Sequence, residues 1–164
     1  MSIKEKLYLA GGLFNAGQRV HNILLERSLI FLGHEVILPQ REALKFFNGI
    51  AFDIAGIVQD CRARCSQQDV ICVTCSDGAD ADSGACVEHG IATTATGRAI
   101  VYRTDFRTAL ESEAGLNAML RGPETQVVYT PCFFTKWVEV EAFYDCLAEK
   151  IDAAIKLLPR SISS

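Results

Sequence analysis

Four carboxylates, Asp77, Asp80, Asp82 and Glu88, fall within twelve residues of one another. Grouped acids have three readings. They can hold a divalent cation, although this spacing departs from the EF-hand loop. They can form a solvated acidic turn. They can also perform glycosyl chemistry, in which one carboxylate attacks an anomeric carbon, a second protonates the departing group and others hold sugar hydroxyls. Asp77, Asp80 and Asp82 belong to a loop crowded with turn formers, Ser76-Asp77-Gly78-Ala79-Asp80-Ala81-Asp82. Glu88 instead sits one turn inside a helix read from Ser83 to Thr96, capped by Asp82 or Ser83 and closed by Gly97. A rigid element aims a side chain better than a loop does, which favours Glu88 as the working carboxylate.

The remaining motifs remove alternatives. Gly12 and Gly17 are spaced as in a phosphate-binding P-loop, but Gln18-Arg19 stand where Lys and Ser or Thr would reach phosphate and magnesium. No G-x-G-x-x-G dinucleotide fingerprint is present. Gly11-Gly12 keep two readings, close backbone approach to a ligand or a tight turn. Of seven cysteines, Cys61, Cys65, Cys72 and Cys75 include one C-x-x-C pair. That pair lies in a run read as a buried strand, where positions three apart face opposite ways, so no structural metal is expected.

These residues need a scaffold, and the hydrophobic pattern supplies one. Lys6 to Gly11, His34 to Leu38, Asp69 to Cys75, Arg98 to Tyr102 and Gln126 to Tyr129 read as strands. Between and after them, helices are read from Asn15 to Leu32, once or twice between Ala43 and Gln67, from Ser83 to Thr96, from Glu113 to Leu120 and from Trp137 to Leu158. This alternation predicts a flavodoxin-like α/β three-layer sandwich, a five-stranded parallel sheet of order 2-1-3-4-5 with helices on both faces. The ligand crevice is then expected where the order reverses, at the carboxyl ends of strands one and three. The Gly11-Gly12 loop and the acidic loop both emerge there.

Composition limits the partners. The chain has 164 residues, enough for one domain over 1–164, with 49% hydrophobic and 22% charged residues. Its net charge of −4 and pI near 5.4 give no basic surface for nucleic acid. The start, Met1-Ser2-Ile3-Lys4-Glu5-Lys6, lacks signal-peptide form, and no apolar run approaches the roughly 20 residues of a membrane span. Seven cysteines, an odd number, are expected to be reduced thiols in a cytoplasmic protein.

At these residues the sequence resembles the nucleoside 2-deoxyribosyltransferase family. The resemblance runs from Leu7-Tyr8-Leu9-Ala10-Gly11-Gly12-Leu13-Phe14-Asn15 through Leu38-Pro39-Gln40 to the stretch from Asp77 to Gly90. It continues in Tyr102-Arg103-Thr104-Asp105-Phe106-Arg107 and Leu116-Asn117-Ala118-Met119-Leu120. It implies that Glu88 is the nucleophile taking the 2-deoxyribosyl group, that Tyr8 orients it, and that Asp82 holds sugar hydroxyls. Gly11, Phe14 and Ser83 are expected to line the substrate site, and Gln40 to meet a base edge. Asn117 and Met119 are expected to complete a neighbouring subunit's pocket, which implies a homo-oligomer. Substrates would be 2′-deoxyribonucleosides and free nucleobases, with no cofactor. The same fold also accommodates a hydrolase of deoxynucleoside 5′-phosphates, for which Arg19 is the nearby basic residue, or a nucleoside-binding module without turnover.

The family carries a further Asp near the departing base, for which this sequence offers Asp60 and Asp69. Asp69 opens strand three, at the end away from the crevice. Asp60 lies nine residues earlier in an antiparallel helix, about 13 Å back toward the crevice at 1.5 Å per residue, and is therefore preferred. His89 and Cys86, which depart from the family pattern, are read as packing residues.

Overall fold

The structure, a computed structural model, describes residues 4–106 and 115–159. Five strands form one parallel sheet: β1 (Lys6–Ala10), β2 (Glu35–Ile37), β3 (Val70–Cys75), β4 (Ala99–Arg103) and β5 (Thr125–Tyr129). Their order is β2-β1-β3-β4-β5, the flavodoxin-like arrangement expected from the sequence. The helices are α1 (Ala16–Phe31), α2 (Pro39–Glu42), α3 (Ile54–Cys65), α4 (Ser83–Thr96) and α5 (Trp137–Ile155).

Strand parity divides the core into two layers. Leu7 and Leu9 of β1 face α1 and α5, where they pack with Leu25, Leu29, Leu147 and Ile151. Tyr8 and Ala10 point the other way, into the layer formed with Cys65 of α3 and Ala85 and Ala92 of α4. Each fully buried Leu or Ile contributes about 1.5–3 kcal/mol, so neither layer is dispensable. Cys72 faces the α3/α4 layer while Cys75 packs against the α1/α5 layer, so the C-x-x-C pair is split by the sheet.

Local chemistry sets the ends of these elements. Asn15 caps α1 and Gln18 returns the bond, forming a capping box, so Asn15 stands outside the helix. Asp82 accepts from the Ala85 N–H and caps α4, and Gly97 ends it at φ 63°. Two expectations need correction. A helical turn already begins at Pro39, because proline at the first helical position loses no hydrogen bond there, and a 3-10 turn follows over Ala43–Phe46. The short helix expected from Glu113 is a 3-10 turn over Ala118–Leu120, capped by Asn117, with Glu113 itself outside the described residues.

Candidate functional site

At the carboxyl ends of β1 and β3, a cavity of about 510 Å³ opens between the Gly11–Phe14 loop, α2, α3 and the first turns of α4. That volume falls in the roughly 300–1,000 Å³ range of small-molecule sites. Its walls are mainly apolar, from Leu13, Phe14, Pro39, Phe52, Ile57 and Ala85, and Arg19, Cys61, Asp82 and Glu88 bring the ionisable groups. A Cβ at Gly11 would lie 3.1 Å from the Cys75 Cβ, so close approach of the β1 and β3 ends accounts for glycine at this edge of the cavity.

Two elements converge on one carboxylate. The Tyr8 hydroxyl, rising from β1, donates to Glu88 Oε1 of α4 at 2.6 Å. Cys61, one helical turn after Ile57 on α3, lines the same cavity as Glu88. Burial pushes the Glu88 carboxyl above its ordinary range. Donation from Tyr8 partly offsets that, and the nearby Asp82 charge adds to the rise. Burial and the Glu88 charge hold the Tyr8 hydroxyl firmly protonated, so it acts as a donor. Burial likewise raises the Cys61 thiol, which stays protonated at neutral pH.

On the other side of Asp82 lies a second cavity of about 450 Å³, lined in part by His21, Cys75, Asp77 and Asp80. Ligand atoms of His21, Cys75 and Asp77 lie within 4.8 Å of one another, close enough to consider a metal. Their polar atoms are already engaged. His21 Nε2 and Nδ1 each lie 2.8 Å from a tyrosine hydroxyl, those of Tyr102 and Tyr144. Asp77 accepts from the backbone N–H groups of Thr104 at 2.6 Å and Asp105 at 2.9 Å.

A sequence profile of the nucleoside 2-deoxyribosyltransferase family matches residues 7–127. The chain belongs to that family. Among solved structures, a 2-deoxyribosyltransferase from Bacillus psychrosaccharolyticus is similar at 22% identity and a TM-score of 0.57, covering 83% of this chain and 90% of that one. A conserved protein from Enterococcus faecalis V583 is similar at 20% identity and a TM-score of 0.61, covering 94% and 99%. A protein described as a possible quinone reductase from Klebsiella pneumoniae shares the fold at 13% identity and a TM-score of 0.52, covering 92% and 85%. No curated protein matches the sequence. Among the described residues, no helix is long and apolar enough to cross a membrane.

Within this deoxyribosyltransferase-family fold, Glu88, Tyr8, Asp82, Gly11 and Phe14 gather at one cavity. Other expected residues do not. Asp60 points away, its Oδ2 accepting from Arg64 Nε at 2.7 Å, and it does not line the cavity. Its height along α3 is suitable, but the roughly 100° turn per residue gives the inward position to its neighbour Cys61. Asp69 pairs with Lys6 at 3.6 Å at the opposite end of the sheet. Gln40 is also spoken for. Its Oε1 accepts from Asn22 at 3.0 Å and its Nε2 donates to the Arg19 carbonyl at 3.1 Å, because the turn started by Pro39 buries it against α1.

Ser83 and Asn117 line a separate cavity of about 320 Å³ together with Cys86 and Arg103. Met119 is 86% exposed, and Asn117 accepts from its backbone N–H at 3.0 Å. His89 is buried between the hydroxyls of Thr74 at 3.0 Å and Thr125 at 3.2 Å. Cys61 is one cavity-lining residue that sequence reasoning missed, and its signal was the i, i+4 spacing from Ile57 that gives α3 a cavity-facing stripe.

Proposed function

We propose that the protein transfers a 2-deoxyribosyl group between nucleobases by double displacement at Glu88. The observation that carries this reading is the half-buried Glu88 carboxylate, held by the Tyr8 hydroxyl at 2.6 Å on the wall of an apolar cavity. Ionised Glu88 attacks C1′ as the bond to the base breaks, forming a glycosyl ester, and a second base then displaces the carboxylate with net retention. The oxocarbenium-like transition state develops positive charge beside Glu88 and Asp82, which favours it electrostatically. Arg19, which lines the same cavity, offsets negative charge growing on the departing base. Asp60, bonded to Arg64, has no part in this scheme.

The charges favour a nucleoside over a nucleotide. Asp82 borders both larger cavities and Asp77 and Asp80 stand nearby, so several carboxylates outweigh the single Arg19 guanidinium. A 5′-phosphate would meet net repulsion there. Met119 and Asn117 lie outside the Glu88 cavity, so they reach a site only if a neighbouring chain's cavity abuts them in a homo-oligomer.

Mixing the protein with a deoxyribonucleoside should give an intact-mass increase of one deoxyribosyl group, located on the Glu88 peptide, and base exchange when an acceptor base is added. Glu88→Ala should remove both. Release of free sugar at one rate with or without acceptor would instead establish a hydrolase, and an unmodified mass with no base released would establish a binding module.

A further inference from the structure

We propose that Arg19 reads the nucleobase and selects bases that present a carbonyl oxygen, 6-oxopurines above all, over their amino counterparts. This rests on the reading of Glu88 as nucleophile and names the substrate class of that site. The cavity is polarised. Asp82 and Glu88 line it from the start of α4, Arg19 lines it from α1, and Pro39, Phe52 and Ile57 supply apolar surface. A sugar that gains positive charge belongs beside the carboxylates. The base, which takes the electron pair of the broken bond, then belongs toward the guanidinium.

Arg19 is both held and available. Arg27, Arg41, Arg64 and Arg98 each pair with a carboxylate. Among the described residues the Arg19 side chain donates only from Nη1 to the Leu13 carbonyl, at 3.2 Å. That bond ties the guanidinium to the loop walling the cavity and leaves most of its N–H donors free. The Arg19 carbonyl accepts from Gln40 Nε2 at 3.1 Å, and Gln40 Oε1 accepts from Asn22 at 3.0 Å, so Gln40 braces Arg19 instead of reading the base itself. Of the other ionisable side chains lining the cavity, Asp82 and Glu88 face the sugar chemistry and the Cys61 thiol is a weak donor. A guanidinium carries donors and no acceptor. It fits the O6/N7 edge of a 6-oxopurine with two parallel bonds and O4 of a 4-oxopyrimidine with one, whereas the amino group of adenine or cytosine meets it donor to donor.

The test is the ratio of kcat/KM for base release from 2′-deoxyinosine to that from 2′-deoxyadenosine, compared among wild type, Arg19→Lys and Arg19→Met. Within one variant the ratio cancels any loss of folded protein, and between variants it cancels the intrinsic leaving ability of the two bases. Arg19→Met should lower it about 10–100-fold, and Arg19→Lys, a point charge without the planar fork, should fall between. A ratio unmoved in Arg19→Met overturns the proposal. A binding arm uses the free bases with Glu88→Ala, which cannot transfer. Hypoxanthine should bind more tightly than adenine, and adding Arg19→Met should remove that preference; equal affinities for the two bases before Arg19 is changed also overturn it. If Arg19 instead serves a 5′-phosphate, Arg19→Met would slow turnover of 2′-deoxyinosine 5′-monophosphate and leave the base ratio unmoved, again overturning it. Failure of the underlying reading looks different, since wild type would then leave no adduct on the Glu88 peptide with either donor.

Discussion

On the α1/α5 face of the sheet, His21 has a tyrosine hydroxyl on each ring nitrogen and Asp77 accepts from two backbone N–H groups. On the α3/α4 face, Glu88 is half-buried with one hydroxyl donor and a neighbouring carboxylate. Both clusters sit at the carboxyl ends of the same strands, beside cavities that share Asp82. They differ in how fully charge and hydrogen-bonding capacity are matched. A saturated cluster holds the sheet to its helices and has little left to offer a ligand. An undercompensated carboxylate costs stability, and its unmet interactions remain available to a bound ligand.

The largest way to break this contrast is to damage the saturated side. His21→Ala leaves two tyrosine hydroxyls without their partner, and denaturant unfolding should show a loss of about 2–4 kcal/mol. Base exchange per folded molecule should change less than about threefold, because His21 does not reach the Glu88 cavity. A variant equally stable but inactive would reverse the roles of the two clusters.

Next in size is Tyr8→Phe, which keeps the ring packed and removes the 2.6 Å donor. Glu88 then loses a group that favours its charged form, so its pKa rises further and the acid limb of the rate profile moves upward. Transfer at neutral pH should fall about 10–100-fold, with the smaller deficit at alkaline pH, where Glu88 ionises without help. A pH-independent deficit would mean that Tyr8 serves the substrate and not the carboxylate.

Glu88→Gln sharpens the same point through stability. The folded-state pKa of Glu88 is raised above its unfolded value, so its favourable contribution is full below the unfolded pKa and is lost as pH rises through the folded pKa. The variant should therefore be more stable than wild type by about 0.5–2 kcal/mol at neutral pH. The gain should shrink as pH falls toward the ordinary carboxylate range. Thermal melts across pH measure this directly, and a variant less stable at every pH would show that Glu88 is well compensated after all.

The same contrast explains what could be read in the sequence. Strand positions and the ends of α4 were legible because they depend on local signals: apolar runs, Asp82 as a cap, and Gly97 in a left-handed conformation. Glu88 was legible because its helix start fixes its place relative to the crevice. Gln40 was not, since its partners Asn22 and the Arg19 carbonyl lie about twenty residues away and meet it only after α1 and α2 pack. Cys61 was hidden for a different reason. Distance along a helix follows from counting residues, but its rotation about the axis is set by which stripe the sheet and α4 capture.

Asp60→Asn, the smallest expected effect, tests that distinction. Asp60 has the right height for a proton donor to the departing base, and its i, i+4 partner Arg64 is also held by Glu42 at 3.0 Å. Removing its charge gives up one partly exposed pair within a network, so stability should change by less than about 1 kcal/mol. If rotation decides function, transfer stays within about twofold of wild type with the pH profile unmoved, because nothing in the cavity has changed. If height alone sufficed, the variant would slow most for poor leaving bases and lose a limb of its pH profile. Measuring donors that differ in leaving ability separates the two outcomes, and it does so on a side chain adjacent to Cys61 in sequence but turned out of the cavity.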